Sequence, residues 1–269
     1  MGLTILYWNT AGHKELAALA LEGSREYDAI AISEPWINTY TNGVYCPCRS
    51  RYNVIYYSGR AALYIHKRHA AGTWEPSGGC DWCAATFTTR EGPITIYSIY
   101  SPVESREWIS PLTELAEHTP QERSIIVGDF NLHHPLWDRE GRVSRHSNAL
   151  LTLAQRWRLD LKTPWGEPTR QGKPGERDST IDLAWASESL EAEYGGREDF
   201  TGSDHYPQVL FVREAATQPQ RHRCKPEGFS WALMDRDRVT AEAAYIKLTP
   251  TMTSPEAVDA AADGLIEQL

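Results

Sequence analysis

Apolar residues fall in short runs over the first 213 positions, and several runs end on a polar side chain. Ile125 to Val127 is a run of strand type that breaks at Gly128 and delivers Asp129 and Asn131. Residues i and i+2 of an extended chain point the same way, so both side chains should face one pocket. Leu3 to Trp8 predicts a first strand with Asn9 at its end, and Asp28 to Ser33 a second that delivers Glu34 and is stopped by Pro35. Tyr52–Ser58 and Ala61–His66 predict a hairpin across Gly59-Arg60. Trp82–Thr88 and Ile94–Tyr100 predict another, turned at Arg90-Glu91-Gly92-Pro93. Thr180–Trp185 and Tyr206–Val212 complete the strands. Helical spacing marks His13–Leu21, Glu107–Glu117 and Ser147–Trp157. Strands mixed with helices and consecutive hairpins predict an α/β (α+β) sandwich of mostly antiparallel sheets.

Composition adds a boundary. From Glu214 to Glu227 the chain turns to Gln, Arg, Lys and Pro, which predicts a domain at 1–213, a linker at 214–227 and a tail at 228–269. Phe229–Lys247 and Pro255–Leu269 read as amphipathic helices without evident chemistry. A hydrophobic share of 41% supports a core. The net charge of −9 argues against a broad basic coat for nucleic acid but allows a local basic rim around an acidic metal site. Five Cys, no signal peptide and no apolar run of membrane length predict a reduced, soluble, intracellular protein.

The chemistry lies at the strand ends: Asn9, Glu34, Tyr100, Asp129 with Asn131, Asp182, and Asp204 with His205. A hard cation such as Mg²⁺ takes carboxylate and carbonyl oxygens, and Glu34 and Asp204 with Asn9 suit it. In-line attack on a phosphodiester needs a group to hold the water and positive charge for the developing oxyanion, roles open to Asp129 and His205. Asp182 could fix the His205 tautomer. Each residue alone also has an ordinary explanation: Asn9 and Asp182 as caps or turn residues, Tyr100 as a strand aromatic, Glu34 as a solvated acid, Asp204-His205 as a turn. The whole series in this order would rarely arise by chance.

Trp8-Asn9, Ser33-Glu34-Pro35-Trp36, Ile99-Tyr100-Ser101-Pro102, Gly128-Asp129-Phe130-Asn131, Ser179-Thr180-Ile181-Asp182 and Ser203-Asp204-His205 resemble the endonuclease/exonuclease/phosphatase superfamily. The segments from Gly128 to Trp137, Pro168 to Arg170 and Asp178 to Trp185 are similar to the apurinic-type endonuclease domain of LINE-like, non-LTR retrotransposons. The resemblance covers about residues 3 to 213. It implies a four-layer α/β/β/α sandwich, two sheets face to face with helices outside. It also implies a Mg²⁺-dependent phosphodiesterase, with Mn²⁺ as a possible substitute, that nicks double-stranded DNA in the nucleus to leave a 3′-hydroxyl. By that resemblance Glu34 is the main metal ligand, with Asn9 and Asp204 beside the metal. Asp129 activates water, Asn131, His205 and Tyr100 contact the scissile phosphate, and Asp182 orients His205. Ala11 departs from relatives acting at abasic sites, which often carry an acid there. No polymerase signature follows, and the tail resembles the linker before a reverse transcriptase, as expected of a fragment or truncated copy. No membrane and no obligate protein partner are expected. The alternatives are a phosphatase or phospholipid phosphodiesterase of the same superfamily, or a decayed DNA-binding remnant.

Arg139, Arg142, Arg145, Arg170 and Arg177 read either as a solvated surface or as a DNA-contacting rim. Cys46, Cys48, Cys80 and Cys83 have spacings from which zinc could be imagined; reduced structural thiols are the expectation. His133 and His134 are expected to shape the loop after Asn131.

Overall fold

The computed structural model describes residues 2–102, 111–118, 122–139, 142–200 and 202–213. The expected linker and tail lie outside these residues, as do the first four positions of the helix expected from Glu107.

Period-2 alternation builds the interior. In β1 (Gly2–Asn9), Leu3, Ile5 and Tyr7 enter one apolar cluster while Leu6 and Trp8 enter another. In β8 (Ser124–Asp129), Ile125 and Val127 face the first cluster and Ile126 a third. The first cluster is the seam between two sheets, shared by residues of both. The other two lie under the helices. On one side α1 (Lys14–Glu22) contributes Leu16, Ala17, Ala20 and Leu21. On the other, α2 (Pro111–Glu117) and α3 (Ser147–Arg156) contribute Leu112, Leu115, Leu150 and Leu153. Central strands buried on both faces explain the unbroken apolar runs. Pro111 opens α2, where a missing N–H costs nothing.

The remaining strands are β2 (Ala29–Ser33), β3 (Tyr52–Ile55), β4 (Ala61–His66), β5 (Trp74–Gly79), β6 (Trp82–Phe87), β7 (Ile94–Tyr100), β9 (Leu159–Leu161), β10 (Asp182–Ser187), β11 (Glu191–Arg197) and β12 (Gln208–Arg213). They form two six-stranded sheets, ordered β11-β12-β1-β2-β4-β3 and β5-β6-β7-β8-β10-β9. Only β1–β2 and β7–β8 run parallel among these pairs, so the sheets are mostly antiparallel, packed face to face with helices outside.

The pattern did not predict β5, β9 or β11, and each is an edge strand. β5 carries Pro76 and two glycines, tolerable where one side needs no donor. β11 alternates weakly and bulges between Tyr194 and Gly196. β3 stops at Ile55 rather than Ser58, and β10 and β12 begin two residues later than expected, at Asp182 and Gln208. Among the described residues no helix is long and apolar enough to cross a membrane.

Asp28, just before β2, ties the far end of this sheet. Its carboxylate accepts from Thr4 N at 2.8 Å, Arg68 Nε at 2.9 Å and pairs with His69 Nε2 at 2.8 Å. Burial works to raise its pKa, but the His69, Thr4 and Arg68 hydrogen bonds outweigh it, and the net shift is downward. A lowered carboxylate pKa adds stability above its unfolded value near 4 and loses it as pH falls through the folded value. Asp28→Asn is expected to cost about 1–3 kcal/mol at neutral pH, the range for hydrogen bonds to charged groups. The gap to wild type should narrow as pH falls below about 4 and close only once pH has passed the lowered native value. Urea melts at pH 7 and pH 3 check this; an equal gap at both would contradict it.

Candidate active site

Strand direction brings the polar residues to one end. β1, β2, β7 and β8 finish there and carry Asn9, Ser33 with Glu34 beyond it, Tyr100 and Asp129. β10 is antiparallel to β8 and delivers Asp182 at its start, paired in register with Asp129. β12 is antiparallel to β1, so the segment before it, with Asp204 and His205, arrives beside Asn9. These three residues therefore enter from strand beginnings, not from strand ends as the sequence pattern suggested.

The two sheets are stitched at this point. Ser33 Oγ donates to Ile99 O at 3.2 Å and accepts from Asp129 N at 3.2 Å. Gly128 lies against the same Ile99 carbonyl; its φ of +146° and a would-be Cβ 1.9 Å from Ile99 O admit glycine alone. Glu34 and Asn131 sit at φ +46° and +50°, left-handed conformations rare for residues with side chains and concentrated at functional positions.

Asp129 is the hub. Its Oδ2 accepts from Asn9 Nδ2 at 2.8 Å and Asn131 Nδ2 at 3.2 Å, and its Oδ1 from Asn131 N at 2.9 Å. Asn9 Nδ2 also approaches Glu34 Oε1 at 3.4 Å, while Asn9 Oδ1 accepts from Ala11 N. Asp182 holds His205 Nδ1 with both oxygens, at 3.0 and 2.9 Å. His205 Nε2 then faces Asp129 Oδ2 and Asp204 Oδ1, each at 4.0 Å. Tyr100 takes a hydrogen bond from Arg60 Nη1 at 3.2 Å, with the guanidinium 4.2 Å from the ring centre. Glu34, Asn9, Tyr100, Asp129, Asn131, Asp182, Asp204 and His205 thus share one site.

Electrostatics follow from crowding. Burial, then the Asp182 charge, push the Asp129 carboxyl well above the usual range despite its donors. Burial alone would lower His205, but the charge and hydrogen bond of Asp182, with Asp129 and Asp204, push it up to about 9. Tyr100 is raised by burial and by the adjacent Glu34 carboxylate.

Several positioning residues carried no sequence signal of their own. Thr169 Oγ1 accepts from Ile181 N and Asp182 N, both at 2.9 Å, and aims the carboxylate. Ser203 Oγ donates to Asn9 O and accepts from His205 N, joining the last loop to the first strand. Ser33, Thr169 and Ser203 stood inside the motifs; Arg60 lay in a hairpin turn with nothing to mark it.

The arginines separate. Arg170 Nε binds Asp204 Oδ2 at 3.0 Å, so it holds a site carboxylate in place. Arg142, Arg170, Lys173 and Arg177 line a groove of about 370 Å³ with His133, Glu176 and Ser179. Arg139 lies over Trp165, and Arg145 is exposed before α3. His133 Nδ1 pairs with buried Asp138, and His134 stacks on Trp137, so both histidines hold their loop. Cys83 is buried and donates to Ala61 O, Cys80 adjoins Asp81, and Cys46 and Cys48 are exposed; all four are free thiols.

Among the described residues, Asp129, Asp182 and His205 are the one His/Cys/Asp/Glu group whose ligand atoms lie within 4.8 Å of each other. Within this trio Asp182 and His205 already bind one another. The oxygen donors at its mouth, Glu34 and Asp204 with Asn9, are the hard set that suits a small divalent cation, and the surplus of carboxylates favours one there.

A family model described as endonuclease-reverse transcriptase matches the chain over residues 94–209. That span holds Tyr100, Asp129, Asn131, Asp182, Asp204 and His205. Over that span the chain is similar to the endonuclease/exonuclease/phosphatase superfamily. The endonuclease domain of TRAS1, a telomere-specific non-LTR retrotransposon, is similar with a TM-score of 0.58 at 18% identity, covering 80% of this chain and 100% of that one. A superfamily protein of Leptotrichia buccalis gives 0.53 at 14% identity over 80% of this chain and all of its own. TDP2 of D. rerio, in complex with a single-strand DNA product, gives 0.51 at 12% identity over 79% of this chain and 99% of its own. At these identities the likeness shows a shared endonuclease/exonuclease/phosphatase fold. No curated protein sequence matches the chain.

Proposed function

We propose that this chain is a Mg²⁺-dependent endonuclease that cuts one phosphodiester bond of double-stranded DNA and leaves a 3′-hydroxyl. In a retrotransposon that end primes reverse transcription. The observation that carries this reading is one run of contacts, Asp182–His205–Asp129–Asn9–Glu34, with no step longer than 4.0 Å. The similarity to a retrotransposon endonuclease and to an enzyme holding a DNA product supports DNA as the substrate.

Asp182 accepts a hydrogen bond from His205 Nδ1–H and so favours the imidazolium, whose Nε2–H is left to donate to a non-bridging phosphate oxygen. Asp129, held by two asparagines, accepts the proton of the attacking water at a carboxylate oxygen; its raised pKa suits that task. Asn131 and the Tyr100 hydroxyl, which border Asp129 and Glu34, would contact and orient the phosphate. Glu34, with Asn9 and Asp204, would hold Mg²⁺, or Mn²⁺ in its place. When bound, that ion supplies positive charge for the developing oxyanion.

Purified protein is expected to convert supercoiled plasmid to the nicked circle in Mg²⁺, and EDTA should stop it. Polymerase extension from the nick without phosphatase treatment reports the 3′-hydroxyl. Intact plasmid together with phosphate release from a small phosphoester or a phospholipid would replace this reading with a phosphatase. Intact plasmid that is retarded in a gel would replace it with a DNA-binding remnant.

A further inference from the structure

Trp165 is 61% exposed, yet it is pinned. Its indole N–H donates to Pro135 O at 2.9 Å, and the Arg139 guanidinium lies 5.8 Å from the ring centre. The next residue, Gly166, makes this possible: a Cβ there would lie 2.4 Å from Arg139 Nε, and its φ of +66° suits glycine. Gly166 N is tied to Trp137 O at 2.8 Å. Leu136, beside Pro135, is 51% exposed as well. An aromatic ring held open to solvent with an apolar neighbour is a mark of an interaction surface.

We infer that Trp165 and Arg139 form a stacking platform for a nucleobase of the bound DNA, unstacked from its neighbours a few base steps from the scissile bond. The inference rests on the DNA reading above and adds a second contact point to it. Two observations select a nucleobase as the occupant. First, the platform and the basic groove share one loop. His133, which lines that groove, is two residues from Pro135, and its backbone is bonded to Ser144 next to Arg142. Arg142, Lys173 and Arg177 line the groove with one acid, Glu176, while Arg170 is paired with Asp204, in a chain of net charge −9. Such local contrast fits a polyanion passing along the loop.

Second, the reach is right. Pro135 is four chain steps from Asn131, a span of at most about 14 Å, and duplex phosphates advance about 3.4 Å per step along one strand, so the Pro135 carbonyl that holds the ring stands within roughly four or five steps of Asn131. A planar π-face next to a backbone negative charge matches an indole with a cation above it.

The test uses the full chain in EDTA, so that binding is read without cutting. Duplexes carry 2-aminopurine at successive positions around the nick mapped with wild type in Mg²⁺, and both anisotropy and 2-aminopurine emission are followed. Wild type should raise the emission at one position. Trp165→Ala should abolish that rise and weaken binding about tenfold while leaving the salt dependence unchanged, because no charge is lost. Trp165→Phe should recover most of both. Arg139→Ala should weaken binding and lower the salt slope by about one. Circular dichroism should show all variants folded, since the ring is exposed. If wild type nicks plasmid while Trp165→Ala binds and lights 2-aminopurine as wild type does, the platform is wrong and the endonuclease reading stands. If Trp165→Ala binds DNA normally but loses the capture of a protein partner, the patch is a protein contact. Failure of wild type to bind any duplex would remove both.

Discussion

Asp129→Ala and His205→Ala are each expected to slow plasmid nicking by a thousandfold or more, on the order of 4 kcal/mol of transition-state stabilisation. The two side chains act at one point from opposite sheets. Asp129 is fully enclosed, held by Asn9 and Asn131, and carries a carboxyl whose affinity for a proton is raised by burial and by Asp182. Alanine there removes the acceptor for the water proton and takes one of two acceptors from each asparagine amide. His205 is held from behind by Asp182, with Nε2 free to donate toward the cleft. Alanine there removes the positive charge and leaves Asp182 buried without its partner. Because these groups work together, the double variant should be no worse than the poorer single one by more than a few fold. Glu34→Ala should behave differently: it is half-buried at the mouth, so its loss weakens metal binding and high Mg²⁺ should restore part of the rate. Initial nicking rates, with duplex binding in EDTA measured alongside, check this set. A loss below tenfold for Asp129→Ala with intact folding would remove it from the chemistry.

Gly128→Ala is expected to destabilise the whole domain. At φ +146° the backbone occupies a region open essentially to glycine alone, and the added Cβ would sit 1.9 Å from the backbone oxygen of Ile99. That oxygen belongs to the parallel neighbour, paired with Gly128 in register, so it can retreat only by parting β7 from β8. Backbone strain and overpacking of about 1–3 kcal/mol each give roughly 3–5 kcal/mol together. For a domain of this size that lowers the melting temperature by about 10 °C or more. The same displacement would move Tyr100 and Asp129, the next residues along each strand, so activity should fall before unfolding. Gly43→Ala is the control, since its φ is ordinary and its nearest neighbour, Thr41 Oγ1, lies 3.4 Å from the added carbon. Thermal melts followed by circular dichroism decide it; a Gly128→Ala melt within 2 °C of wild type would contradict the argument.

Alternation made the buried architecture legible in the chain itself. The odd and even residues of β1 and β8 enter different apolar clusters, and a period of two in the sequence is the direct image of that arrangement. Gly128 breaking an apolar run, and Pro35 closing another, likewise placed Asp129 and Glu34 at strand mouths without any knowledge of the fold. Edge strands gave no such image: β5, β9 and β11 have one side unpaired, tolerate Pro76 and glycine, and so need no apolar pattern. The tertiary structure alone decided how Asp182 and Asp204 reach the centre. Both precede or begin their strands, and only antiparallel register with β8 and β1 turns those beginnings toward Asp129 and Asn9. Ser33 bridging to Ile99 and Asp129, Thr169 aiming Asp182, Arg60 lying on Tyr100 and Arg170 holding Asp204 are contacts between residues 13 to 96 positions apart. Local periodicity records which face of an element is buried. It carries no record of which distant side chain will meet that element, because pairing register and sheet-on-sheet packing are settled only when the whole chain closes.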